Sequence, residues 1–158
     1  MDSPVVLQSH VIISLIAIAT GVAVLYGLLS NRRLPAMTLA FLVTSVVTDV
    51  TGFFFVRDRV LPSQVVGVLS LAILAIALFA LYAKHLRHAW RATYVITAVI
   101  GLYLNVFVLV AQGFLHVAPL HELAPTGQEP PFAVAQGLVL LAFVVLGWMA
   151  FRRFRPVV

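Results

Sequence analysis

The 158-residue chain is 63% hydrophobic and 9% charged, with a mean hydropathy of +1.11, far from the roughly 45–50% apolar and about 25% charged content of a soluble globular domain. The absence of cysteine excludes disulfides, thiolate nucleophiles and Cys-ligated zinc or iron–sulfur centres. The net charge of +5 is spread in short basic clusters between apolar runs, which mark topology and not a nucleic-acid-binding face.

Crossing a hydrocarbon core of roughly 30 Å takes about 20 apolar residues in a helix, and five runs have that length. The first, about Val5–Leu29, follows a segment with Asp2 and no Lys or Arg. No small-residue cleavage site follows a short apolar core, so this span is expected to be retained. "NRRLP" ends it and opens the second, Pro35–Val56, with Pro35 suited to a first helical turn. "RDRVLPS" leads to the third, Ser63–Tyr82, and "KHLRHAWR" to the fourth, Ala92–Val117. The connector "VAPLHELAPTGQE" reads as a loop before the fifth, Phe132–Phe151, and "RRFRP" follows. The expectation is an all-α membrane protein, a single domain over residues 1–158 forming a bundle of five transmembrane helices.

Orientation follows from the Lys and Arg of short loops, which stay on the cytoplasmic side. With the N-terminus outside, Arg32, Arg33, Lys84, Arg87, Arg91, Arg152, Arg153 and Arg155 fall inside and only Arg57 and Arg59 outside, so the C-terminus is expected to be cytoplasmic. Trp90, Tyr82 and Trp148 lie near the inner span ends, where amphipathic rings form belts.

Polar side chains inside a span face the bundle or a wet cavity, so their helical phase carries information. His10 and Ser14 share a face of the first span with Ala17 and Gly21. Ser45, Asp49 and Gly52 form a stripe on the second, flanked by Thr44, Thr48 and Thr51. Gly101, Asn105, Gln112 and His116 align on the fourth, and Gln136 lies just inside the fifth. At about 1.5 Å per residue, His10, Asp49, Gln112, His116 and Gln136 fall in the outer half and Asn105 near the midplane, whereas the inner half holds little beyond Thr20, Thr38, Tyr94 and Thr97. Most Ser and Thr of this kind tie helices together; Asp49 differs, because a carboxylate in a span is costly and marks a site by default.

Two chemistries could use these groups. The spacing of His116, His121 and Glu122, joined by His10 or Asp49, offers copper or zinc ligands, although it matches no helical metal signature such as H-E-x-x-H. His10 and His116 could instead face one another across a haem. His85 and His88 sit among Arg87, Trp90 and Arg91, where headgroup contact is the default. No nucleophile–base pair or phosphate-binding glycine loop is legible, and the sequence leans away from catalysis.

At "VTGFFF" (50–55), "YLNVFVLVAQGFL" (103–115) and "APTGQEPPFAVAQG" (124–137) the chain resembles a set of small bacterial inner-membrane proteins without an established activity, and the likeness extends over most of its length. The resemblance implies a bacterial inner membrane as location.

The expected function is therefore that of an accessory subunit or a binder of a small hydrophobic ligand such as a quinone or lipid. Its pocket would lie in the outer leaflet, lined by His10, Ser14, Asp49, Asn105, Gln112, His116 and Gln136. Its partners would be the bilayer and a homo-oligomer or larger membrane complex, with no nucleic acid. The alternatives are a haem, copper or zinc redox protein using His10 and His116, and a proton-coupled carrier or oligomeric channel with Asp49 titrating. The topology has a direct test, because a single Cys introduced at position 127 has no native competitor. It should react with an impermeant thiol reagent from outside; labelling from the cytoplasmic side alone reverses the orientation.

Overall fold

The computed structural model describes residues 4–54 and 62–156, and the described residues form helices and no strands. The elements are α1 (Pro4–Leu29), α2 (Pro35–Gly52), α3 (Pro62–Leu78) prolonged by a π-helical turn (Phe79–Ala83), α4 (Trp90–His116), α5 (Ala118–Leu123) and α6 (Pro130–Arg153). Five of them, α1, α2, α3 with its π turn, α4 and α6, are long and apolar enough to cross a membrane. Helices are the expected solution, since a helix satisfies its own backbone groups where no water is present to do so. Exposed apolar side chains run along the outside, among them Ile12, Leu39, Val68, Leu138, Leu141 and Val144, as a lipid-facing surface requires.

Most boundaries fall within a few residues of expectation. The expected end of the second span at Val56, and Arg57 and Arg59 beyond it, lie outside the described residues. The connector after the fourth span departs from the expected loop, because Ala118–Leu123 is helical. Val117 is extended at its start and Pro119 occupies the first turn, where a missing N–H costs nothing.

α4 lies at the centre, in contact with α1, α3, α5 and α6, and α1 with α2 is the most extensive pair. Close approach is set by small residues, as packing between membrane helices demands. A Cβ on Gly21 of α1 would lie 2.6 Å from Leu102 of α4 and 2.9 Å from the Phe41 ring of α2, so only glycine admits both. Phe41, Leu42, Leu74, Val95 and Leu102 form the fully enclosed centre. α6 is attached more lightly, through Tyr103 against Phe143 (5.7 Å between rings), Phe114 against Phe132 (5.4 Å) and Val99 over Gly147.

The loop between α1 and α2 is built by a helix-ending motif. Arg32 N–H donates to Gly27 O (2.8 Å) and Asn31 N–H to Leu28 O (3.4 Å), with Asn31 left-handed at φ 54°, the Schellman pattern with Asn in the position usually held by Gly. The chain folds back so tightly that a Cβ on Gly27 would lie 2.9 Å from Arg32 O. Asn31 Oδ1 then accepts from Arg155 N–H (2.7 Å), joining this loop to the chain after α6.

At the opposite end Glu129 precedes α6 and accepts from the Thr126 hydroxyl (2.8 Å) and from the Thr126 and Gln128 amides (3.1 Å each). Desolvation pushes its carboxyl up, but these hydrogen bonds outweigh it and hold the group below its ordinary 4.5.

Gly27→Ala tests the tight turn. The gain in helix propensity, about 0.5–1 kcal/mol, opposes an overpacking cost of about 1–3 kcal/mol, and because the obstacle is backbone the cost should prevail. A net loss of about 1–2 kcal/mol is expected in mixed-micelle unfolding; equal or greater stability would show that the loop yields.

Candidate functional site

The polar groups picked out by helical phase are distributed among several separate contacts. His10, half-buried on α1, places Nδ1 2.9 Å from Thr51 Oγ1 on α2, with its ring against Gly52. Asn105 Nδ2 donates to Ser45 Oγ at 2.9 Å, joining α4 to α2. Gln136 Nε2 donates to Phe107 O at 3.0 Å, joining α6 to α4. Ser14 donates within its own helix to Val11 O (2.7 Å). Asp49, half-buried, faces Ser70 of α3.

Gln112 and His116 are exposed, although they share a helical face with Asn105. α4 has 27 residues, about 40 Å at 1.5 Å each, so its last turns run past a hydrocarbon core of roughly 30 Å. The face that packs at Asn105 is uncovered by the time the helix reaches His116. His121 Nδ1 lies 3.3 Å from Phe114 O, and both His121 and Glu122 are exposed. Among the described residues no three His, Asp or Glu side chains gather as metal ligands would.

A cleft of about 150 Å³ opens instead at the end of the bundle that carries most of the basic residues. Val24 and Leu28 of α1, Leu81 of the π turn, Leu86 and Phe154 supply its apolar wall. Arg32, Arg33, Leu34 and Pro35 come from the α1–α2 turn and Thr38 from the first turns of α2. Tyr82 and His85 lie across from them, and Tyr94 of α4 contributes its hydroxyl near Thr38, within electrostatic reach of Arg33 and Tyr82.

Two loops shape this cleft. The Schellman turn delivers Arg32 and Arg33. On the other side His85, Leu86 and His88 all have left-handed backbones (φ 50°, 60° and 50°), a conformation that L side chains avoid and that costs of order 1–3 kcal/mol per residue. Leu86 offsets part of that cost by burying its side chain in the core, where it is 2% exposed.

Some of the basic residues at this end are held by neighbouring groups. Lys84 lies over the Phe79 ring (5.2 Å) and the Trp90 ring (5.7 Å). Arg91 donates to the carbonyls of Phe151 and Phe154, and Arg152 covers Trp148 at 5.3 Å. These are committed to holding the bundle end together. Arg32 and Arg33, exposed at the cleft, make no hydrogen bond or ion pair through their side chains to a described residue.

Sequence reasoning singled out Thr38 and Tyr94 only as the sparse polar content of the inner half, and His85 as a headgroup contact. It did not connect them, because the connection runs through loop conformation. No protein-family model matches the chain, nor does any curated protein or solved structure.

Asn105→Ala removes the donor to Ser45, whose side chain is fully buried, and should cost about 0.6–2 kcal/mol, the range of hydrogen bonds between membrane helices. Gln112→Ala and His116→Ala should stay within about 0.5 kcal/mol. Micelle unfolding of the three variants checks this ordering, and a large loss at His116 would contradict the exposed placement.

Proposed function

We propose that the protein binds an amphipathic molecule bearing an anionic head group, phosphate or carboxylate, at the cleft between the α1–α2 turn and the π turn. The observation that carries this reading is the composition of the cleft: Arg32, Arg33 and His85 around Tyr94 and Thr38, over an apolar wall of Val24, Leu28, Leu81 and Phe154. Among the described residues no carboxylate lines it.

Size selects the part of the ligand that enters. A cavity of about 150 Å³ in another protein accommodates a benzene-sized molecule, and a water takes about 30 Å³. This cleft therefore suits a head group with the first few carbons of a tail, the remainder lying along the apolar exterior. A haem or whole quinone is too large for it. The open start of α2, which has no side-chain cap, presents amide groups and the positive end of the helix dipole to the same rim.

The reading keeps the ligand-binding class expected from the sequence and moves it to the opposite end of the bundle. With the expected topology, that end faces the cytoplasm of a bacterial inner membrane, where the leaflet surface is rich in anionic lipid. The bilayer itself is then the source of the ligand.

A basic residue near an anionic surface contributes about 1 kcal/mol, so Arg32→Gln with Arg33→Gln should weaken binding of an anionic phospholipid about thirtyfold. Tyr94→Phe should weaken it by less. The measurement is native mass spectrometry or spin-label quenching in nanodiscs containing phosphatidylglycerol, with phosphatidylcholine as the control and inorganic phosphate as competitor. Displacement by phosphate alone would identify a soluble anion as the ligand; equal retention of both lipids, or no effect of the double substitution, rejects the proposal.

A further inference from the structure

Several hydroxyls of the membrane-crossing helices are absorbed by their own helix, and two buried ones are left without a partner. Thr20, Thr44, Thr51 and Thr97 each donate to a carbonyl three or four residues earlier, at 2.6–2.7 Å for the shorter bond, the usual way a helix absorbs such a group. Thr48 Oγ1 and Ser70 Oγ are buried and have no hydrogen-bond partner, and Asp49 Oδ2 is in the same condition.

Two of these three atoms belong to one contact. Asp49 on α2 and Ser70 on α3 interact across the helix interface, yet not in hydrogen-bond geometry, since both oxygens remain unpartnered. Ser70 is 1% exposed, so bulk water does not supply the missing bond.

Charge sharpens the point. Asp49 is the only carboxylate in the membrane-crossing helices among the described residues. From α1 the titratable neighbour on this side is His10, whose Nδ1 meets Thr51. α3 brings no charged side chain among its described residues, and α4 brings neutral Asn105, bonded to Ser45. A half-buried carboxylate with one oxygen enclosed and no counter-charge among the described residues is costly, and a buried hydroxyl without a partner adds to that cost.

We propose that Asp49 and Ser70 bind one monovalent positive charge, a proton or a sodium ion, between α2 and α3. Carboxylate and hydroxyl oxygens are hard ligands suited to cations of this kind, and a single positive charge neutralises a single carboxylate where a divalent ion would leave an excess. The site lies apart from the basic cleft and stands independently of the ligand proposed there.

The two sources of charge are separable with the intact protein in nanodiscs. Equilibrium dialysis with radioactive sodium, against potassium and choline at equal ionic strength, reads the ion. Infrared difference spectroscopy with isotope-labelled aspartate reads a protonated carboxyl. One sodium per chain, or a protonated-carboxyl band, is expected from the native protein. Asp49→Asn should abolish the signal, and Ser70→Ala should weaken the sodium affinity or shift the band. Neither signal in the native protein, a signal that survives Asp49→Asn, or one indifferent to Ser70→Ala overturns the proposal. Should Asp49→Asn fail to fold, as circular dichroism would show, the native protein and Ser70→Ala still decide.

Discussion

Everything in this bundle answers to one constraint: within hydrocarbon a polar group must find its partner inside the protein, because no water will provide it. Thr20, Thr44 and Thr97 meet it locally, against the carbonyls of their own helices. His10 with Thr51, Asn105 with Ser45 and Gln136 with Phe107 O meet it across helices. The same bonds that discharge the polar groups thereby set which faces meet, tying α1 to α2, α2 to α4 and α4 to α6. Hydrophobic packing then fills the spaces between them, closest where Gly21 admits Phe41 and Leu102. Against that background the unpartnered oxygens of Asp49 and Ser70, with Thr48 Oγ1 and Gln136 Oε1, mark demands that are not met.

The two ends of the bundle solve different problems. At one end polar groups lie within the spans and are mostly spent on helix contacts. At the other the spans hold a few hydroxyls, among them Thr38 and Tyr94, and the charges gather in loops and at helix termini, where Arg91, Lys84 and Arg152 clasp rings and carbonyls. This clasping fixes the frame in which Arg32 and Arg33 stand uncommitted beside the cleft.

The five spans were legible in the sequence because their length is imposed by the membrane and needs no tertiary knowledge. Helical phase also identified His10, Asn105 and Gln136 as notable positions, and each has a partner on a neighbouring helix. Phase says nothing about how far along a helix its neighbours extend, which is why Gln112 and His116 share a stripe with Asn105 and yet lie exposed. Ser70 stands alone in an apolar run and the sequence gives no reason to single it out, since its interest comes from the carboxylate opposite. The cleft was illegible for a further reason: left-handed backbones at Asn31, His85 and Leu86 create it, and hydrophobic periodicity does not report on them.

The π turn at Phe79–Ala83 carries a consequence for evolution and engineering. A turn of this type holds one more residue than the α turn it replaces, and one residue is about 100° of rotation in a helix of 3.6 residues per turn. The chain therefore leaves α3 rotated from the direction an unbroken helix would give, and Lys84 and Leu86 bond back to Phe79 O and Ala80 O from that new heading. Removing a single residue from Phe79–Ala83 would restore an ordinary helix with its hydropathy nearly unchanged, while turning the His85–Leu86 loop away from Arg32 and Arg33. The span and the cleft are in this sense separately heritable: a one-residue deletion could erase the second and leave the first intact.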